Sequence, residues 1–310
     1  MRAFIFPGQG SQAIGMGQTL AGASAAARAV FEEVDDTLGQ HLSRLMVEGP
    51  EAELTLTENA QPAIMANAIA TLRVLEEGGV RLADKAAYVA GHSLGEYSAL
   101  CAAEALDLAT TARLLKLRGQ AMQAAVPVGQ GAMAALLGVD YDAARSICAD
   151  AAEGEVCEAA NDNGGGQVVI SGDKAAVERA MVLAKARGAK RALPLPVSAP
   201  FHCELMAPAA TAMEKALAEA DVRAPLVPVF ANVTAAAVSN PDAIRALLVE
   251  QVTGTVRWRE SVEAMVAAGV TEFVEFGAKV LGPMVKRIAP DATATSVVTM
   301  ADIEALAARL

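Results

Sequence analysis

The sequence predicts an α/β fold in two parts, a large domain with a mostly parallel sheet and a smaller α+β unit inserted into it once. Three observations carry that prediction. Short β-type runs alternate with stretches of helical periodicity up to residue 126. Near Pro127 the pattern changes to glycine-punctuated strands in β-α-β-β-α-β order. After Pro200 the first alternation resumes. A chain of 310 residues suits one large domain carrying an insertion. Apolar residues make up 54% of it and aromatic residues only 4%, so the core is built from Ala, Val, Leu, Ile and Met rather than rings.

Residues 2–6 form a short strand that breaks into Pro7-Gly8-Gln9-Gly10-Ser11-Gln12, a loop of small residues that lets backbone approach a ligand closely. A helical stretch follows. Over residues 61–77, Ile64, Ala68, Leu72 and Leu75 recur near helical spacing until Gly78-Gly79 stops the run. A strand over 86–90 turns into a helix across Gly91-His92-Ser93-Leu94-Gly95, and residues 106–125 read as a further helix carrying Arg113 and Arg118. Next come strands at 132–137, 156–160, 167–171 and 192–197, with helices at 142–152 and 174–187, the order of a ferredoxin-like unit. The return brings helices at 206–220, 241–249 and 261–268 and strands at 227–231 and 272–275. The expected division is a large domain of residues 1–126 and 199–310 and a small subdomain of residues 127–198.

A net charge of −11 argues against nucleic acid as the main partner, because phosphate binding needs a positive face. The densest cationic run, Lys185, Arg187, Lys190 and Arg191, reads as a solvated helix end or as a local patch for an acidic partner. Cys101, Cys148, Cys157 and Cys203 form no CxxC pair, so neither a zinc site nor a disulfide framework is expected. The N-terminal apolar run is too short for a secretory signal, and no apolar stretch reaches the roughly 20 residues of a membrane helix. The expectation is a cytoplasmic protein that meets no membrane.

Gly91-His92-Ser93-Leu94-Gly95 matches G-x-S-x-G, the strand-to-helix turn that exposes a serine hydroxyl and is shared with hydrolases of the α/β class. That turn sets the Leu94 amide at a helix N-terminus, where it can face an oxyanion. A serine needs a base, and the chain has three histidines: His41, His92 and His202. The turn points His92 away from Ser93, and His41 sits in a polar helical region. His202 follows Pro200-Phe201 where the insertion rejoins the large domain, a cleft-edge position suited to catalysis. Arg118 lies in an apolar helical context; it either snorkels or pairs with a neighbour, or it grips a substrate carboxylate through its two-pronged guanidinium.

In these features the chain resembles the malonyl-CoA:acyl carrier protein transacylases, relatives of the acyltransferase domains of polyketide synthases. The resemblance covers nearly the whole chain. It rests on residues 6–12, Gly91 to Tyr97, Arg118-Gly119, Gly129-Gln130-Gly131-Ala132-Met133, Gln167 to Gly172 and Pro200-Phe201-His202. Residues 161–166, 203–204 and 253–255 depart from the commonest family spellings.

The resemblance implies an α/β-hydrolase-like large domain and a ping-pong transfer through Ser93, with His202 as base and Arg118 as the malonate clamp. Gln9 and Leu94 would supply the oxyanion amides, and the Gln251 carbonyl would orient the imidazole of His202. Phe201 would favour malonyl, since in the related polyketide domains Phe before the histidine accompanies malonyl and Ser accompanies methylmalonyl. It implies malonyl-CoA as substrate, acyl carrier protein as a transient partner, no metal or cofactor, and a monomer serving fatty-acid synthesis. Two rivals differ from it: a serine hydrolase or thioesterase using the same pair, and a carrier-binding module without activity.

Overall fold

The computed structural model describes all 310 residues. Its ten strands are β1 (Arg2–Phe6), β2 (Tyr88–Gly91), β3 (Gly131–Leu137), β4 (Cys157–Asp162), β5 (Gln167–Asp173), β6 (Arg191–Pro194), β7 (Val229–Ala231), β8 (Ala236–Val238), β9 (Glu272–Phe276) and β10 (Thr293–Val297). They form a six-stranded sheet in the order β10-β9-β1-β2-β7-β8 and a four-stranded sheet in the order β4-β5-β3-β6.

Every pairing in the larger sheet is parallel except β7 with edge strand β8. The central strand β1 is buried on both faces, as its unbroken Ala3-Phe4-Ile5-Phe6 run requires. On one face Phe4 and Phe6 pack against Phe276, with ring centroids 4.9 and 5.8 Å apart. On the other face Ala3 and Ile5 join a core built around the fully buried Trp258.

The smaller sheet is antiparallel throughout and alternates with helices Tyr141–Ala152 and Lys174–Ala186. Ala134, Leu136, Val168 and Ile170 pack with those helices in a core of their own, while Met133, Ala135 and Val169 turn toward the large core. An isolated bridge between Asn161 and Val256 ties this sheet to the larger one's surroundings. Strand β6 stops at Pro194 rather than running to residue 197. Leu195 N still donates to Met133 O at 2.9 Å, but Pro196 has no N–H to give the ladder, so the chain leaves the sheet there and residues 195–197 line a cavity.

Close helix packing places the chemistry. Helix Thr57–Glu77 begins four residues before its apolar pattern suggests and is buried nearly all round. It meets helix Leu108–Ala125 at Gly119, where a Cβ would stand 2.5 Å from Glu58 Cα. Only glycine allows that approach, and it sets the neighbouring Arg118 against Gln61. No helix is long and apolar enough to cross a membrane.

Candidate active site

Ser93 stands between the C-terminal end of β2 and helix Leu94–Ala102, with φ 54° and ψ −111°. The flanking glycines are steric necessities. A Cβ on Gly91 would lie 1.9 Å from the Gly95 carbonyl, and one on Gly95 would lie 2.2 Å from the Phe6 carbonyl. Gly95→Ala is therefore expected to destabilise the fold by about 3 kcal/mol or more, read as a fall in thermal midpoint. A midpoint within a degree or two of the parent protein would contradict that packing.

Asn232, just past β7, holds this strained turn. Its Oδ1 accepts from Ser93 N at 2.8 Å, and its Nδ2 donates to Gly91 O at 2.7 Å. Backbone strain at a functional turn persists when several bonds over-determine it, as here. Asn232 carries no mark in the sequence, because Ala231-Asn232-Val233-Thr234 shows no signal beyond an ordinary turn.

Ser93 Oγ and His202 Nε2 are 2.7 Å apart. His202 also has a left-handed φ of 59° and is buried at 4% exposure. Its Nδ1–H donates to two carbonyls, Gln251 O at 2.9 Å and Gly254 O at 3.1 Å, which leaves Nε2 as the acceptor for the serine proton. Burial first, and then the Arg118 charge, pull the imidazole pKa down to about 3, so the ring is neutral at physiological pH. Neither of the other two histidines bonds the serine, although His92 lines the same cavity. His92 Nε2 donates to Asn163 Oδ1 at 2.8 Å with its ring against Trp258, and the exposed His41 precedes helix Leu42–Glu48.

Arg118 is buried at 1% exposure, with no carboxylate against it. Its Nη1 donates to Gln61 Oε1 at 2.8 Å, and its Nη2 donates to Gln251 Oε1 at 2.8 Å and Ser93 Oγ at 3.1 Å. The guanidinium carbon sits 5.6 Å from the centre of the Tyr97 ring, and Nε has no partner. A buried guanidinium whose hydrogen-bond partners are all neutral, set against a serine hydroxyl, can receive an anion. Gln61 gave no sign of this place in the sequence; its polar side chain sits on a helix otherwise read for apolar spacing.

Gln9, Leu94, Phe201 and His202 line the same cavity as Ser93 and Arg118, with a volume of about 260 Å³. The amides of Gln9 and Leu94 donate to no group in the protein, and the Gln9 side chain is tied back by Thr57 Oγ1 at 3.0 Å. Two free N–H groups beside a hydroxyl can meet an oxyanion. The structure thus gathers Ser93, His202, Arg118, Gln9, Leu94, Gln251 and Phe201 at one place. The cationic run Lys185, Arg187, Lys190 and Arg191 is exposed on the small sheet's flank, with Arg187 paired to Asp150.

A serine on a strand-to-helix turn, an imidazole oriented by carbonyls and a pair of free amides together make a site for acyl chemistry. Residues 3–291 match the family described as acyl transferase domain. The chain is 47% identical over 295 residues to the malonyl CoA-acyl carrier protein transacylase of Escherichia coli K12, covering 95% of this chain and 94% of that one. The solved acyl-carrier-protein-S-malonyltransferase of Bartonella henselae matches with a TM-score of 0.97 at 55% identity, over 98% of each chain. A solved complex of a type II PKS acyl-carrier protein with its malonyl-transacylase matches with a TM-score of 0.96 at 42% identity, over 100% of this chain and 99% of that one. The chain belongs to the malonyl CoA-acyl carrier protein transacylase family, and is an acyltransferase.

Proposed function

We propose that this chain is a malonyl-CoA:acyl carrier protein S-malonyltransferase working through a malonyl ester on Ser93. The observation that carries this reading is the guanidinium of Arg118, buried without a carboxylate and 3.1 Å from Ser93 Oγ. That distance lets the far carboxylate of a three-carbon diacid reach Arg118 while its thioester meets the serine.

His202 Nε2 takes the Ser93 proton as Oγ attacks the thioester carbonyl, and the oxyanion is met by the amides of Gln9 and Leu94. Collapse breaks the carbon–sulfur bond, and the departing CoA sulfur takes the proton from His202. In the second half the carrier's pantetheine thiol gives its proton to the same imidazole. Its sulfur attacks the serine ester, and Ser93 Oγ leaves with the proton. The Gln251 carbonyl orients His202, and Phe201 walls the acyl pocket in favour of malonyl.

The same reading makes the large unit α/β-hydrolase-like, since its nucleophile follows a central parallel strand. It makes the small unit, residues 127–198, ferredoxin-like, in keeping with the sheet order β4-β5-β3-β6. The protein then acts in the cytoplasm as a monomer without a metal or cofactor, handing malonyl groups to a carrier for fatty-acid synthesis.

The test is to mix the protein with malonyl-CoA and separately with acetyl-CoA, quench in acid, and record intact mass and peptide maps. The expected result is a malonyl adduct on the Ser93 peptide with little acetyl adduct. CoA release with no adduct would point to hydrolysis instead, and neither release nor adduct would leave only carrier binding.

A further inference from the structure

Glu96 is a buried carboxylate, at 2% exposure, for which the mechanism above has no use. Its Oε2 accepts from Gln251 Nε2 at 2.8 Å and from Asn232 N at 3.0 Å. The other end of the same carboxamide, Gln251 Oε1, accepts from Arg118 Nη2 at 2.8 Å. The carboxamide cannot turn over. Doing so would set its oxygen against Glu96 Oε2, Ser93 O and Asn232 Oδ1, the three acceptors that Nε2 now faces. Gln251 is thus a fixed spacer that brings a negative charge close to Arg118 while taking only one of its N–H groups.

We propose that Glu96 is a selectivity-determining residue, the counter-charge held one carboxamide away from Arg118 that sets how strongly the guanidinium grips the acyl carboxylate. This rests on the reading of Arg118 as that carboxylate's partner. A docked malonyl group adds a second carboxylate around one buried cation, and two carboxylates sharing a site raise each other's proton affinity. An ionised Glu96 opposes the malonyl carboxylate, and a protonated Glu96 admits it.

Burial, only partly offset by the Gln251 and Asn232 donors and the Arg118 charge, pushes Glu96 up to about 7. The charged and titratable groups facing it are Arg118, from helix Leu108–Ala125, and Tyr97, on its own helix. Helix Pro241–Thr253 and the turn after β7 bring the neutral donors Gln251 and Asn232. Burial pushes the Tyr97 phenol up, and His202 stays neutral, so Glu96 is the member of this network that changes charge near neutrality. The preference for malonyl over acetyl therefore falls as pH rises through about 7. Acetyl, with no carboxylate, is indifferent to Glu96.

The experiment measures Ser93 acylation rates with malonyl-CoA and acetyl-CoA from pH 6 to pH 8.5 for the parent protein, Glu96→Gln and Arg118→Ala. In the parent the malonyl-to-acetyl ratio should fall about tenfold across that range. In Glu96→Gln, which keeps the size and an acceptor oxygen, it should stay level near the parent's low-pH value. A level ratio in the parent, or an unchanged slope in Glu96→Gln, overturns the proposal.

Should Glu96→Gln not fold, proton uptake by the parent protein at pH 7.5 decides. Acylation by malonyl-CoA should take up a measurable fraction of a proton more than acylation by acetyl-CoA, and equal uptake overturns the proposal. Arg118→Ala separates the two layers. If it leaves the ratio unchanged while Ser93 is still acylated, the carboxylate reading itself fails and the proposal falls with it. If it collapses the ratio while the parent shows no pH slope, only the role of Glu96 fails.

Discussion

His202→Ala is expected to slow acylation of Ser93 by about 10³–10⁴-fold, with the turn and both free amides still in place. Following CoA thiol release in a rapid-mixing experiment measures it. Neither of the other histidines can substitute, since His92 is bound to Asn163 and His41 is on the surface. A loss of less than tenfold would therefore place the base outside the histidines altogether. The pH dependence follows from the neutral imidazole. Its pKa, brought down to about 3 by burial and then by the Arg118 charge, keeps the base form present far below the ordinary value of about 6.5. With acetyl-CoA as donor, the acylation rate should stay level from pH 7 to about pH 5. Halving near pH 6.5 would mean that the imidazole is better hydrated than its 4% exposure implies.

Arg118→Ala is expected to cut malonyl use by about tenfold to a few hundredfold, through loss of charge-assisted hydrogen bonds of about 1.5–3 kcal/mol. Acetyl use should change by less than about threefold, the part owed to the lost bond with Ser93 Oγ. Paired kcat/KM measurements with the two donors check this. Equal loss for both would reduce Arg118 to a prop for the serine. Arg118→Lys should recover only part of the malonyl rate. A lysine ammonium cannot bond Gln61, Gln251 and the substrate at once in the planar pattern the guanidinium uses.

Much of the architecture was legible in the chain because it is written locally. The continuous apolar runs of β1, β3 and β5 appear in sequence within a residue or two of their structural bounds. Two strands were not legible. β8 is three mostly exposed residues, and β10, Thr293–Val297, is a partly exposed edge strand whose small residues show no alternation. Both exist because a neighbouring strand supplies the ladder. Helix Pro241–Thr253 also runs past residue 249, where the apolar pattern fades, as far as Gly254. That extra turn carries Gln251.

The site divides in the same way. Gly91, Ser93 and Gly95 mark a turn whose sterics are local, and three histidines leave little choice of base. Gln61, Asn232 and the Gly254 carbonyl carry no such mark, because an amide side chain or a main-chain oxygen becomes specific only through what faces it. Glu96 stood within a recognised motif, yet its role came into view only with Gln251 and Asn232 beside it.

The amino-acid order on its own determined the alternation of strands and helices, the strained serine turn, and the short list of groups able to act with it. Packing decided which of them meet. Ser93 and His202 are 109 positions apart, and the Gln251 side chain reaches Ser93 across 158. Periodicity encodes which face of an element is buried but not which element lies against it. Packing also decided the charges, since Arg118, Glu96 and His202 owe their shifted proton affinities to desolvation that only the assembled core imposes.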